Sequence, residues 1–143
     1  MGSAGQDCAG ILARFFSRAN RTGLASAYLF GSQSSGRTHR ESDVDVGILL
    51  DWRTHRTRRA RFEERLELSS SLIAALGANE VDVVVLNDAP PPLAARIVTE
   101  GRRVFCAEPD VDRAFFRDVQ LRAADLLPFL ARTRRLKLRA LQR

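Results

Sequence analysis

Apolar positions along this chain switch between two periods, and the switching predicts alternating helices and strands. Ile11, Leu12, Phe15 and Phe16 fall at helical spacing, and Asn20 to Gly23 end that first helix. Leu24 to Phe30 reads as a buried strand that closes at Gly31, followed by a polar loop from Ser32 to Ser42. Asp43 to Leu50 first alternates carboxylate with valine and then becomes wholly apolar, the pattern of a second strand. Beyond an arginine-dense stretch, Phe62, Leu66, Ile73 and Leu76 share one face of a long helix, with Glu63, Glu64 and Glu67 turned outward and Gly77 and Asn79 ending it. Glu80 to Leu86 is the third strand, Pro90 to Glu100 a short helix stopped by Gly101, and Arg103 to Ala107 a fourth, short strand. A final helical segment runs from about Asp110, with Pro128 marking a break or kink. The class is α/β (α+β), with residues 1–109 forming the core and 110–143 a helical tail packed on that core or on a partner.

Composition narrows this picture. With 143 residues there is room for one domain, and the 45% hydrophobic and 28% charged fractions are those of an ordinary globular chain. No apolar run approaches the roughly 20 residues of a membrane-spanning helix, and the N-terminus lacks the basic start of a secretion signal. Cys8 and Cys106 belong to no cysteine cluster, so two free thiols in a reducing cytoplasm are expected. The net charge of +6 is concentrated at the end: residues 1–109 carry 14 basic and 13 acidic side chains, residues 110–143 carry 9 and 4. Solvation of a helix end explains that bias by default. With aromatics at 7%, a stacking groove for single-stranded nucleic acid is not expected, nor direct nucleic-acid binding.

Three carboxylates carry the candidate chemistry: Asp43, Asp45 and Asp82. Side chains alternate along a strand, so Asp43 and Asp45 share a face while Val44 and Val46 point to the core. Two carboxylates about 7 Å apart repel unless a cation lies between them, and a hard, oxygen-seeking ion such as Mg²⁺ fits. If the strand of Asp82 neighbours that of Asp45, the cluster gains a third acid. Gly31 allows close backbone approach to a ligand, and Ser32 offers a hydroxyl and an N–H to a phosphate oxygen. A phosphate cradle beside metal-holding carboxylates is the apparatus of metal-assisted nucleotidyl transfer.

Gly31-Ser32, ten intervening residues and Asp43-Val44-Asp45 resemble the GS-x10-DxD signature of the polymerase β-type nucleotidyltransferase superfamily, and Asp82 within Val81-Asp82-Val83-Val84 matches its third carboxylate. The short chain and its tail, with Asp125-Leu126-Leu127-Pro128-Phe129, resemble the minimal nucleotidyltransferase (MNT-type) antitoxins. The resemblance implies the polymerase β-like fold, a mixed sheet of about four strands flanked by helices. It implies an antitoxin that moves AMP from ATP onto a tyrosine of a HEPN-domain ribonuclease toxin and also binds that toxin. Asp43 and Asp45 would then hold two Mg²⁺ ions. Asp82 would hold the nucleophile-side metal and help take the tyrosine proton, and Gly31 and Ser32 would hold the outgoing phosphates. Many relatives read GSxxRG where this chain has Gln33-Ser34-Ser35-Gly36, so the nearest cations for nucleotide binding are Arg37 and Arg40. That departure keeps a second reading open, an antitoxin that neutralises its toxin by contact alone. A small-molecule nucleotidyltransferase ranks lower, because such relatives carry a larger acceptor domain.

Other features rank behind these. Arg53, Arg56, Arg58, Arg59 and Arg61 place five arginines in nine residues, as either a solvated helix start or a partner- or substrate-binding patch. His39 lies in the expected phosphate loop and reads as a surface histidine before a nucleotide contact. His55 sits amid arginines with no carboxylate partner evident in the sequence, and Trp52 and Tyr28 read as packing residues. Phe115, Phe116, Leu126, Leu127, Phe129 and Leu130 of the tail are candidates for a partner-binding face, with domain core as the alternative.

Overall fold

The alternating periods resolve into helices α1 (Ala4–Ala19), α2 (Arg58–Leu76), α3 (Pro91–Glu100) and α4 (Pro109–Leu141), and strands β1 (Leu24–Phe30), β2 (Asp43–Leu50), β3 (Glu80–Val85) and β4 (Arg102–Cys106). This computed structural model describes the backbone of residues 4–31, 43–77 and 80–141, and side chains within 8–31, 44–77 and 80–125. The strands form one mixed sheet in the order β3-β2-β1-β4. β1 runs antiparallel to both β2 and β4, whereas β2 and β3 are parallel and joined through α2.

Period-two alternation decides what each face of the sheet buries. Val44, Val46, Ile48 and Leu50 of β2 and Val81, Val83 and Val85 of β3 pack with Leu12 and Phe16 of α1 and Leu68 and Leu72 of α2. On the opposite face, Tyr28 and Leu49 meet Ala94, Ile97 and Val98 of α3 and Val119 and Ala123 of α4. Each large apolar side chain so buried contributes about 1.5–3 kcal/mol. Cys8 is buried in the first cluster, and both cysteines are free thiols.

Strands β1 and β2 and helix α3 begin and end within one residue of where the sequence places them; Gly77 ends α2 at φ 64°, its N–H donating to the Ile73 carbonyl. Four expectations need correction. The buried face of α2 is not that of Phe62, Leu66 and Ile73, which are exposed; Arg61, Glu64, Leu68 and Leu72 are buried instead. The reason is pairing: Glu64 accepts two bonds from Arg21, and Arg61 donates two to Asp88, so charged groups occupy the inward face. Leu86 is not the last residue of β3 but starts a 3-10 turn through Asp88, and β4 begins one residue early, at Arg102. There the Asn87 side chain bonds Leu50 N–H and C=O at 2.9 and 2.8 Å, replacing the ladder that β3 abandons. Finally, α4 continues through Pro128 as one helix, so the expected break does not occur there. Asn79 lies outside the described residues.

Candidate active site

In a parallel ladder, residues in register project from the same face. Asp45 is in register with Asp82 on β3 and, across its other edge, with Phe30 at the end of β1. Neighbouring strands lie about 4.8 Å apart, so the two carboxylates stand side by side. The flanking valines of both strands, Val44, Val46, Val81 and Val83, are buried on the opposite face, which pins Asp45 and Asp82 to theirs. Asp82 is exposed and Asp45 partly so. Asp43 opens β2 with its backbone opposite Glu80; its side chain lies outside the described residues.

Gly31 follows Phe30 at φ +79°, a left-handed conformation that costs other residues about 1–2 kcal/mol. A Cβ built there would lie 2.5 Å from Asp45 Oδ2, so the turn is pressed directly onto the carboxylate. Only glycine permits that approach. Ser32, Arg37, Arg40 and His39, the remainder of the expected phosphate loop, lie outside the described residues.

The chemistry of this donor set suits a hard cation: carboxylate oxygens side by side on one sheet face, with a backbone turn close against one of them. Among the described residues no group of three His, Cys, Asp or Glu side chains is assembled as a metal site. Asp45 and Asp82 therefore form a carboxylate pair to which Asp43 is adjacent in sequence.

The arginine-dense stretch separates into individual roles. Arg61 is buried, donating to Asp88 at 2.8 and 2.9 Å and to the His55 carbonyl at 2.9 Å, with its guanidinium 4.8 Å from the Trp52 ring centre. Arg53 chelates Asp51 and lowers that carboxyl to about 2, chiefly through its side-chain hydrogen bonds. Arg56 donates to the Arg53 carbonyl, while Arg58 and Arg59 project beside the free edge of β3. His55 has the carboxylate partner that sequence reading did not find: its Nε2 is 4.0 Å from Glu64 Oε1.

A second polar centre escaped the sequence altogether. Asp112 of α4 accepts from Ser26 Oγ at 2.6 Å and Tyr28 OH at 2.7 Å, while its other oxygen takes Arg103 Nη1 at 2.9 Å. Burial, and then the bond to Asp112, push the Tyr28 hydroxyl far above its ordinary value. This cluster ties the first turn of α4 to β1 and β4. Its sequence signal is no more than one of the two aspartates, Asp110 and Asp112, in a helix start, where such residues are common.

Residues 14–110 match the family model of the polymerase beta nucleotidyltransferases. A curated relative, the protein adenylyltransferase MntA of Shewanella oneidensis, is 34% identical over 93 residues, covering 65% of this chain. The chain spans about 62% of that relative's length. A toxin–antitoxin crystal structure with AMP-PNP superposes with a TM-score of 0.65 at 28% identity, over 94% of this chain and 98% of that one. A toxin–antitoxin MntA–HpeT complex with a tyrosine-to-alanine substitution gives 0.63 at 27% identity, over 94% and 97%.

Proposed function

Because the chain belongs to the polymerase beta nucleotidyltransferase family, we propose that it is the antitoxin of a HEPN toxin–antitoxin pair and a protein adenylyltransferase, moving AMP from ATP onto a tyrosine of the toxin. The observation that carries the reading is Asp45 in register with Asp82, beside the glycine turn that presses on Asp45. The adenylyltransferase relative and the AMP-PNP-containing toxin–antitoxin structure support it. The acceptor must lie on another protein. Tyr28 is this chain's one tyrosine, and it is buried with its hydroxyl donated to Asp112.

In the reaction a tyrosine oxygen attacks the α-phosphorus of ATP; the new P–O bond forms as the bond to the β-phosphate bridge breaks, and pyrophosphate leaves. Asp43, Asp45 and Asp82 are the residues that would hold two Mg²⁺ ions. Bound there, these ions would neutralise charge gathering on the transferring and leaving oxygens. Asp82, exposed on an edge strand, would hold the nucleophile-side metal and help take the tyrosine proton. Gly31 and Ser32 would hold the outgoing phosphates, and Arg37 and Arg40 are the nearest cations in sequence to take over the contact that is absent directly after Ser32. The protein works in the cytoplasm, consistent with its two free thiols; among the described residues no helix is long and apolar enough to cross a membrane.

The test is the intact mass of a co-expressed HEPN partner after incubation with this protein, ATP and Mg²⁺, beside an Asp43→Ala/Asp45→Ala variant. AMP-sized gains that vanish with the variant are expected. No gain, with complex formation and toxin suppression intact, would leave an antitoxin acting by contact alone.

A further inference from the structure

Among the described residues, strand β3 is an edge of the sheet, with β2 on one side and no strand on the other. Backbone N–H and C=O groups point to alternate edges along a strand, so half of those in β3 serve β2 and half face outward. Exposed edges are usually blunted, because they template pairing with another chain. Here the edge borders a cavity of about 580 Å³, lined by Asp82 to Val85, by Arg58, Arg59, Phe62 and Arg65 of α2, and by Asp88 to Pro90 and Leu93, so its arginines outnumber its carboxylates three to two. Phe62 and Leu93 are 49% and 40% exposed, apolar surface with no use in the core. Asp82 belongs both to this cavity and to the carboxylate pair.

The register states what an added strand would present. Phe30, Asp45 and Asp82 form one cross-strand row, and the next position outward belongs to whatever pairs with β3. A residue there projects from the same face as Asp82, about 4.8 Å further on. Charge selects the occupant. Arg58 and Arg59 are largely exposed, in loose ion pairs with Asp88 at 4.0 Å and Glu63 at 3.4 Å that water screens, and Arg65 lies 5.9 Å from the Phe62 ring centre. Two copies of this chain meeting edge to edge would oppose their arginine rims; an acidic segment would complement them.

We propose that the outer edge of β3 is the acceptor-docking strand: an extended, acidic, tyrosine-bearing segment of the partner adds to the sheet there and sets its tyrosine beside Asp82. The proposal rests on the adenylyltransferase reading and names how its substrate is held. Main-chain bonds to the edge supply affinity without demanding a particular sequence, and the position opposite Asp82 selects the residue modified.

Amide hydrogen exchange of the full chain tests it, with and without the HEPN acceptor protein, in Mg²⁺ and α,β-methylene-ATP, whose α–β bridge cannot be cleaved. Exchange over residues 80–86 slows at least about tenfold in the complex, as added ladder bonds require. In steady-state transfer, Arg59→Glu/Arg65→Glu raises the acceptor KM about tenfold with kcat within about twofold, and Arg59→Lys/Arg65→Lys restores it, because a point charge suffices. AMP transfer with unchanged exchange at 80–86, or an unmoved KM, overturns the docking strand while leaving the transferase intact. So does protection of that strand by concentration alone, which would mean a second copy. Slowed exchange without AMP transfer upholds the docking strand and removes the catalytic reading instead.

Discussion

Gly31 and Asp45 cannot be changed independently: a Cβ on the first would lie 2.5 Å from Oδ2 of the second. The left-handed turn at Gly31 brings backbone against the carboxylate that stands in register with Asp82. The proposed phosphate cradle and the carboxylate proposed to hold metal thus share one piece of geometry.

Gly31→Ala is expected to cost about 1–2 kcal/mol of stability through its positive φ, and to weaken nucleotide binding more than stability. Calorimetric titration with AMP-PNP and Mg²⁺, alongside urea unfolding, separates the two effects. Wild-type affinity in this variant would show that the turn does not shape the nucleotide site.

Arg61 anchors the start of α2 by its bidentate bond to Asp88. Arg61→Met keeps the volume but leaves Asp88 only the exposed Arg58 at 4.0 Å, so a loss of about 3 kcal/mol in urea denaturation is expected. Arg61→Lys should recover little of it, since one ammonium cannot reproduce the fork. A loss below about 0.5 kcal/mol for Arg61→Met would place the pair among inconsequential surface bridges.

Tyr28 makes alkaline stability readable, because the ultraviolet signal of tyrosinate comes from this residue alone. Its folded pKa is raised above the ordinary value of 10.0, by burial first and the Asp112 bond second. A raised pKa favours the proton-bound folded state: the stabilisation is fully present below pH 10 and lost as pH climbs toward the folded value. Tyrosinate absorbance and loss of helical circular dichroism should therefore appear together above pH 10. Ionisation while the helices persist would contradict the buried Asp112 cluster.

Asp51 provides the acid counterpart. Arg53 holds its carboxyl at about 2, against an ordinary 3.8. A depressed pKa stabilises above the unfolded value, and that contribution disappears as pH falls from near 4 through 2. Thermal unfolding of Asp51→Asn should show a shallower decline over that window than the wild type. Parallel curves would mean the chelate contributes nothing to acid stability.

Sequence alone determined the elements whose signal is local. The alternation in Asp43-Val44-Asp45-Val46 placed β2 and buried its valines, because strand side chains must alternate. The same reasoning bounded β1 and α3, where glycine or proline stands at the ends. It also singled out Gly31, Asp45 and Asp82, though not their juxtaposition. That needed β3 beside β2 in parallel register, which depends on how α2 crosses the sheet.

Helix α2 shows why the rest was not legible. Hydropathy places Phe62 and Leu66 inward and Glu64 outward; the fold does the reverse, because Arg21 lies 43 positions from Glu64 and Asp88 lies 27 from Arg61. A charged residue can occupy an inward position only when a partner arrives to satisfy it, and partners distant in sequence are chosen by tertiary packing. The same packing left Phe62 and three arginines beside the open edge of β3. Local periodicity determined which residues make strands and helices; the ion pairs and the strand order decided which of their faces remain available to a partner.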